Sequence, residues 1–135
     1  MHLKTPRGLR NNNAGNIRHG DKWQGMAALQ LDPSFITFTN EKFGIRAMAR
    51  VLSNYRDRHG LVTVSGIISR WAPSVENDTG SYVNQVSRAL GVSANTVIDT
   101  RNADVMELLI AAIIKHENGQ QPYSAELIKE GIALA

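Results

Sequence analysis

Apolar residues recur along this chain at helical spacing in successive stretches. The sharpest is Met106-Glu-Leu-Leu-Ile-Ala-Ala-Ile-Ile-Lys-His-Glu-Asn-Gly119. Met106, Leu109, Ile110, Ile113 and Ile114 share one face at the i, i+3, i+4, i+7 spacing, which predicts a buried helix starting at Asn102 or Asp104. Glu117 falls on the same face, and Gly119 supplies the left-handed residue at which helices commonly stop. Upstream, Asn40 can cap a helix running to about His59, with Ile45, Met48, Ala49, Leu52 and Tyr55 inward and Gly60 at its end. Thr63 caps a short helix carrying Val64, Ile67, Ile68 and Trp71, closed by Ala72-Pro73. A helix after the turn at residues 74–79 places Tyr82, Val86, Ala89 and Leu90 inward, with Gly91 beyond it. Ser93 is read as the cap of one further turn, and Ser124 caps a closing helix with Leu127, Ile128 and Ile132.

The first forty residues carry no such period. They are rich in Gly, Asn and Asp, which predicts loops and a small irregular β-hairpin. The fold class is therefore mainly α, with five or six helices, and nothing marks a second domain within residues 1–135. Asn11, Asn12, Asn13 and Asn16 crowd one short segment of this region. Asparagines turn the chain and tolerate left-handed backbone; they also supply donors and acceptors suited to the hydroxyl and N-acetyl groups of a sugar. Trp23 and Phe38 add flat faces that could stack on a sugar or belong to the core.

Composition narrows the classes. Of 135 residues, 42% are hydrophobic and 20% charged, as in an ordinary globular domain, so disorder and fibres are excluded. No apolar run reaches a membrane span, and the start MHLKTPRGLR lacks the apolar core of a signal peptide. With no cysteine, disulfide and thiol chemistry are absent. The net charge of +3 is mild, with cations at Lys4, Arg7, Arg10, Arg18, Lys22, Arg46, Arg50, Arg56 and Arg58. These suit an anionic cell wall or nucleic acid, and equally a solvated surface. His2, His19, His59 and His116 are too scattered for a metal site, and no cofactor motif is present. Neighbouring helices at Thr63–Trp71 and Thr79–Leu90 could form a helix-turn-helix. The connection carries Pro73, Glu76 and Asp78, however, and the second helix has only Arg88 as a cation, so nucleic acid is not the expected partner.

Candidate chemistry gathers at Glu117. The C-terminal end of a helix is the negative end of its dipole and the neighbouring stripe excludes water, so an anion is poorly placed there. A carboxylic acid in such a position can serve as the proton donor in glycosidic bond cleavage. His116 points about 100° around the helix from Glu117 and is read as a surface contact.

Several motifs agree with one family. Ile113-Ile-Lys-His-Glu-Asn-Gly119 resembles the helix end of the lysozyme superfamily, particularly lytic transglycosylases and bacterial glucosaminidases, where the glutamate is the general acid. Thr79-Gly-Ser-Tyr-Val-Asn-Gln-Val86 resembles the Thr-x-x-Tyr-Val-x-x-Val helix of those transglycosylases, which puts Tyr82 against the cleft. Phe43 to Tyr55 is similar to the helix following their β-region, and Asn16-Ile-Arg with Trp23-Gln-Gly25 resembles substrate-cleft segments of the glucosaminidases. The order departs from the family, because the glutamate helix here comes after the other two segments. That order implies a circularly permuted lysozyme-like domain, in which the segment before Asn16 must lie close to Asn118 and Gly119. Asn11-Asn-Asn-Ala-Gly-Asn-Ile17 and Glu117-Asn-Gly-x-x-Pro-Tyr123 also resemble segments of small phage and prophage proteins described as virion structural or wall-degrading.

The resemblance implies a monomeric phage or prophage enzyme without cofactor or metal that cleaves the MurNAc–GlcNAc β-1,4 bond of peptidoglycan glycan strands. Glu117 is the single catalytic residue, and Tyr82, Asn13, Asn16, Tyr123 and Trp23 hold the sugar. A lytic transglycosylase is favoured over a hydrolytic muramidase or glucosaminidase. The rivals are a non-enzymatic virion or tail protein that binds glycan without cutting it and, third, a DNA-binding module. The expected setting is the virion or host cytoplasm, with action on the periplasmic cell wall after delivery by a particle or holin.

Overall fold

The computed structural model describes residues 5–75 and 77–135, so Lys4, His2 and Glu76 lie outside the described residues. Six helices follow in order: α1 (Arg7–Arg10), α2 (Glu41–His59), α3 (Val64–Trp71), α4 (Thr79–Leu90), α5 (Ala103–Asn118) and α6 (Ala125–Ala133). Side chains close the N-termini of five. Asn40 accepts from the Lys42 N–H, Thr63 from Gly66, Asp78 from Ser81, Asn102 from Asp104 and Val105, and Ser124 from Leu127. Each bond satisfies an amide with no partner inside its helix, worth about 1 kcal/mol. Gly60, Gly91 and Gly119 then end α2, α4 and α5 at φ of 62°, 69° and 74°.

α5 is the axis of the molecule and packs against α1, α2, α4 and α6. Met106, Leu109, Ile110, Ile113 and Ile114 are all buried, and they meet Ile45, Met48 and Leu52 of α2, Ile67 and Ile68 of α3, Val86 of α4 and Ile128 of α6 in one core. Fully burying an isoleucine or leucine contributes on the order of 2 kcal/mol. Among the described residues, no helix is long and apolar enough to cross a membrane.

One local expectation is corrected. Residues 17–39 do not form hairpin strands; the described pairings there are isolated antiparallel bridges, Arg18 with Phe35 and Met26 with Phe38. Side chains do the work of a ladder. Gln30 donates to the Ala27 and Thr37 carbonyls at 2.8 and 2.7 Å and accepts from the Thr37 N–H at 2.8 Å. A second small core of Ile36, Phe38 and Ala47 lies beneath, flanked by Trp23, Met26 and Phe43. Ser93 does cap one further turn, its Oγ accepting from the Asn95 N–H and its carbonyl from the Thr96 N–H. It sits in a turn whose Ala94 carbonyl accepts from the Ser65 N–H, tying that loop to the start of α3. A short helix not foreseen from the sequence, α1, leads into the asparagine segment.

That segment is pressed against the helices. A Cβ on Gly44 of α2 would stand 2.1 Å from the Asn12 carbonyl oxygen, so only glycine admits the close approach. Asn12 and Asn16 both adopt left-handed backbone at φ 53°, a region that asparagine enters more readily than most residues.

Candidate active site

Glu117 lies in the last turn of α5, half-buried, at a cleft of about 330 Å³. Both carboxyl oxygens are held. The Asn16 amide nitrogen donates to Oε1 at 2.9 Å, and the Tyr82 hydroxyl donates to Oε2 at 2.8 Å. Donors from two directions fix the plane of a carboxyl that one bond would leave free to rotate.

Each donor is itself fixed. Tyr82 comes from α4 and is 1% exposed. Burial, then the adjacent Glu117 carboxylate, pushes its phenol far above the ordinary tyrosine range, while Trp71 acts in the opposite sense. Asn16 is delivered by the segment that Asn118 anchors, for the Asn118 amide nitrogen donates to the Ala14 carbonyl at 2.8 Å and to Ile114 at 3.0 Å. The stretch before Asn16 therefore meets the end of α5 directly.

The walls of the cleft mix aromatic, amide and cationic groups: Asn16, Arg18, Phe35, Tyr55, Trp71 and Asn77. Trp71 meets Tyr55 edge to face with ring centroids 6.4 Å apart, and Arg18 lies 5.1 Å over the Phe35 ring. Flat apolar faces beside amides suit a ring that is apolar on its faces and hydroxylated at its edge. Among the described residues lining the cleft, Glu117 supplies the one carboxyl. Asp32 is gripped by Arg7 and Asn11, Asp78 caps α4, Glu41 opens α2, and Asp21 is exposed. Among the described residues, no three His, Asp or Glu side chains converge as metal ligands.

The structure thus brings Glu117, Tyr82 and Asn16 together and leaves three other candidates elsewhere. Asn13 is 0% exposed and its amide is consumed: the nitrogen donates to the Ile17 and Ile36 carbonyls, both at 2.9 Å, and the oxygen accepts from the Ile17 N–H at 2.9 Å. It is a strut of the turn, with no atom left for a ligand. Trp23 packs on the second small core and does not line the cleft. Tyr123 packs against the main core, its phenol pushed up by burial and then by the Glu41 carboxylate, and it also lies outside the cleft lining. His116 is not a surface contact. Its ring stacks on Tyr82 with centroids 3.7 Å apart and planes 24° from parallel, and its Nδ1 bonds the Gln85 side chain.

Sequence reasoning missed the role of Asn118, whose signal was an amide between the glutamate and the helix-ending glycine. It also gave Trp71 no role beyond being carried with Val64, Ile67 and Ile68 on one helix, since helical period alone cannot tell an inward face from one that borders a cleft.

No family model matches the chain. A virus protein does: Protein P5 of Pseudoalteromonas phage PM2 is 43% identical over 132 residues, which is 95% of this chain and 81% of that protein.

Proposed function

Because the chain belongs to the family of Protein P5 of Pseudoalteromonas phage PM2, and because its cleft holds one oriented carboxyl, we propose that it is a phage-related enzyme cleaving the MurNAc–GlcNAc bond of peptidoglycan as a lytic transglycosylase. The observation that carries this reading is the double support of Glu117 by Asn16 and Tyr82 at the floor of an aromatic and amide-lined cleft. Contact between these three motifs is what the permuted lysozyme-like arrangement requires.

In the proposed reaction, protonated Glu117 gives its proton to the bridging O4 as the C1–O4 bond breaks. The carboxylate left behind accepts the proton of the MurNAc 6-hydroxyl as the C1–O6 bond closes the 1,6-anhydro ring. One residue serves as acid and then base, and Glu117 returns to its starting state. Hydrolysis would call for a second carboxylate roughly 5 to 9.5 Å away, and the described cleft lining offers none.

The test is digestion of purified cell walls, with mass spectrometry of the muropeptides released. Products ending in 1,6-anhydroMurNAc are expected. Products carrying an added water would make the enzyme a hydrolase. Glu117→Gln keeps the shape and removes the transferable proton, so turnover should fall by roughly 10²- to 10⁴-fold. A Gln variant as active as wild type would remove Glu117 from the chemistry, and a wild-type protein that binds walls without cutting them would favour a glycan-binding virion component.

A further inference from the structure

Tyr82 is gripped on a side that the proposed chemistry does not touch. His116, one residue before Glu117 on α5, lies flat on the Tyr82 ring, and Gln85, three residues beyond Tyr82 on α4, takes the His116 Nδ1. The two helices therefore clasp each other twice over a few residues. α4 holds His116 by a ring face and an amide, and α5 holds Tyr82 by a ring face and the Glu117 carboxyl. The phenol oxygen sits at the far end of a long side chain, where a small tilt of the ring becomes a large displacement. A plate stacked at 3.7 Å removes that tilt.

We propose that His116 is a positioning residue whose ring face sets the Tyr82 ring and through it the orientation of the Glu117 carboxyl. The inference rests on reading Glu117 as the reacting group. It assigns His116 no contact with substrate and no proton transfer; the flat face is what acts. Any planar ring at position 116 should therefore serve, whereas a side chain without a face should not.

The experiment compares His116→Ala and His116→Phe with wild type in the full-length protein, by steady-state cleavage of purified peptidoglycan and by NMR of the Tyr82 hydroxyl proton. His116→Ala should lower kcat by at least about tenfold with KM changed by less than about twofold, since a misplacement of around 1 Å can cost up to 10²-fold. His116→Phe should recover kcat to within about threefold of wild type. The hydroxyl proton should exchange slowly in wild type and the Phe variant and fast in the Ala variant. Full activity in His116→Ala, or equal losses in both variants, would overturn the proposal. If wild type cleaves nothing, the glycosidase reading falls and the NMR comparison still decides the positioning role: equal exchange in all three proteins overturns it.

Discussion

Gly8 shows how tightly single residues are set around Glu117. A Cβ there would stand 2.7 Å from Asn16 Oδ1, 2.8 Å from Asn118 Oδ1 and 2.9 Å from the Asn13 carbonyl oxygen. None of the three can retreat cheaply, because Asn16 holds Glu117, Asn118 holds Ala14, and the Asn13 carbonyl accepts from the Asn16 N–H. Gly8→Ala should destabilise the protein by about 1–3 kcal/mol and reduce wall cleavage further than that loss explains. Gly80→Ala is the comparison. The nearest atom to its Cβ would be Asp78 Oδ1 at 3.9 Å, and alanine inside α4 should be neutral or stabilising by up to about 1 kcal/mol. Denaturant unfolding with a wall-lysis assay checks both, and a Gly8→Ala protein as stable and active as wild type would show that this packing can relax. At this scale the sequence was half legible. The type of residue at positions 13 and 16 was readable, but which amide is spent inside the turn and which faces Glu117 depends on contacts from residues 17, 36 and 117 that no local pattern contains.

The five longer helices, α2 to α6, were legible because their signals are local: a capping side chain, an apolar period and, for three of them, a terminal glycine all lie within a few residues of what they control. The 17–39 region was not, because its pairings are made by side chains acting for backbone. Asp32 is one such node. Arg7 grips its carboxylate with Nε at 2.6 Å and Nη2 at 2.5 Å, Asn11 donates at 3.0 Å, and the Ser34 and Phe35 N–H groups at 2.9 and 3.0 Å. α1 is thereby bolted to the loop. The Arg7 guanidinium, with lesser help from those amides, holds the Asp32 carboxyl far below the usual carboxylate range. A lowered folded value means that this stability is fully present above the ordinary value of about 4 and is lost as the pH falls through the folded one. Asp32→Asn should therefore unfold earlier than wild type in urea at neutral pH, with the gap narrowing steadily below about pH 4. A gap that persists unchanged into strong acid would mean that charge at Asp32 is not what holds α1 in place.

The candidate site joins the two halves of the chain, with hydrogen bonds linking residues 101 and 104 positions apart. The segment order in the sequence carried that much, because a permuted arrangement needs the asparagine segment against the end of α5. What it could not carry is how far the same contacts are part of the core. Tyr82 belongs to the central cluster and at the same time holds the Glu117 carboxyl that lines the cleft, so disturbing one disturbs the other. Tyrosine ionisation makes this coupling measurable. The chain has three tyrosines, and burial is the largest cause raising the phenol of Tyr55, Tyr82 and Tyr123 alike. Glu117 adds to the rise at Tyr82 and Glu41 at Tyr123, whereas Arg70 opposes it at Tyr55. A raised folded value contributes stability that is complete below the ordinary phenol value of about 10 and is lost as the pH climbs above it. In an alkaline titration followed together by near-ultraviolet absorbance and helical circular dichroism, no phenol should ionise at the ordinary value while the helices persist. Ionisation should instead begin later and accompany the loss of helix, most of all for Tyr82, which must surrender both its buried site and its bond to Glu117. Tyr82→Phe should shift the unfolding to higher pH and remove one phenol from the ionisation step. If that variant unfolds at the same alkaline pH as wild type, then Tyr82 is not the residue through which the cleft and the core fail together.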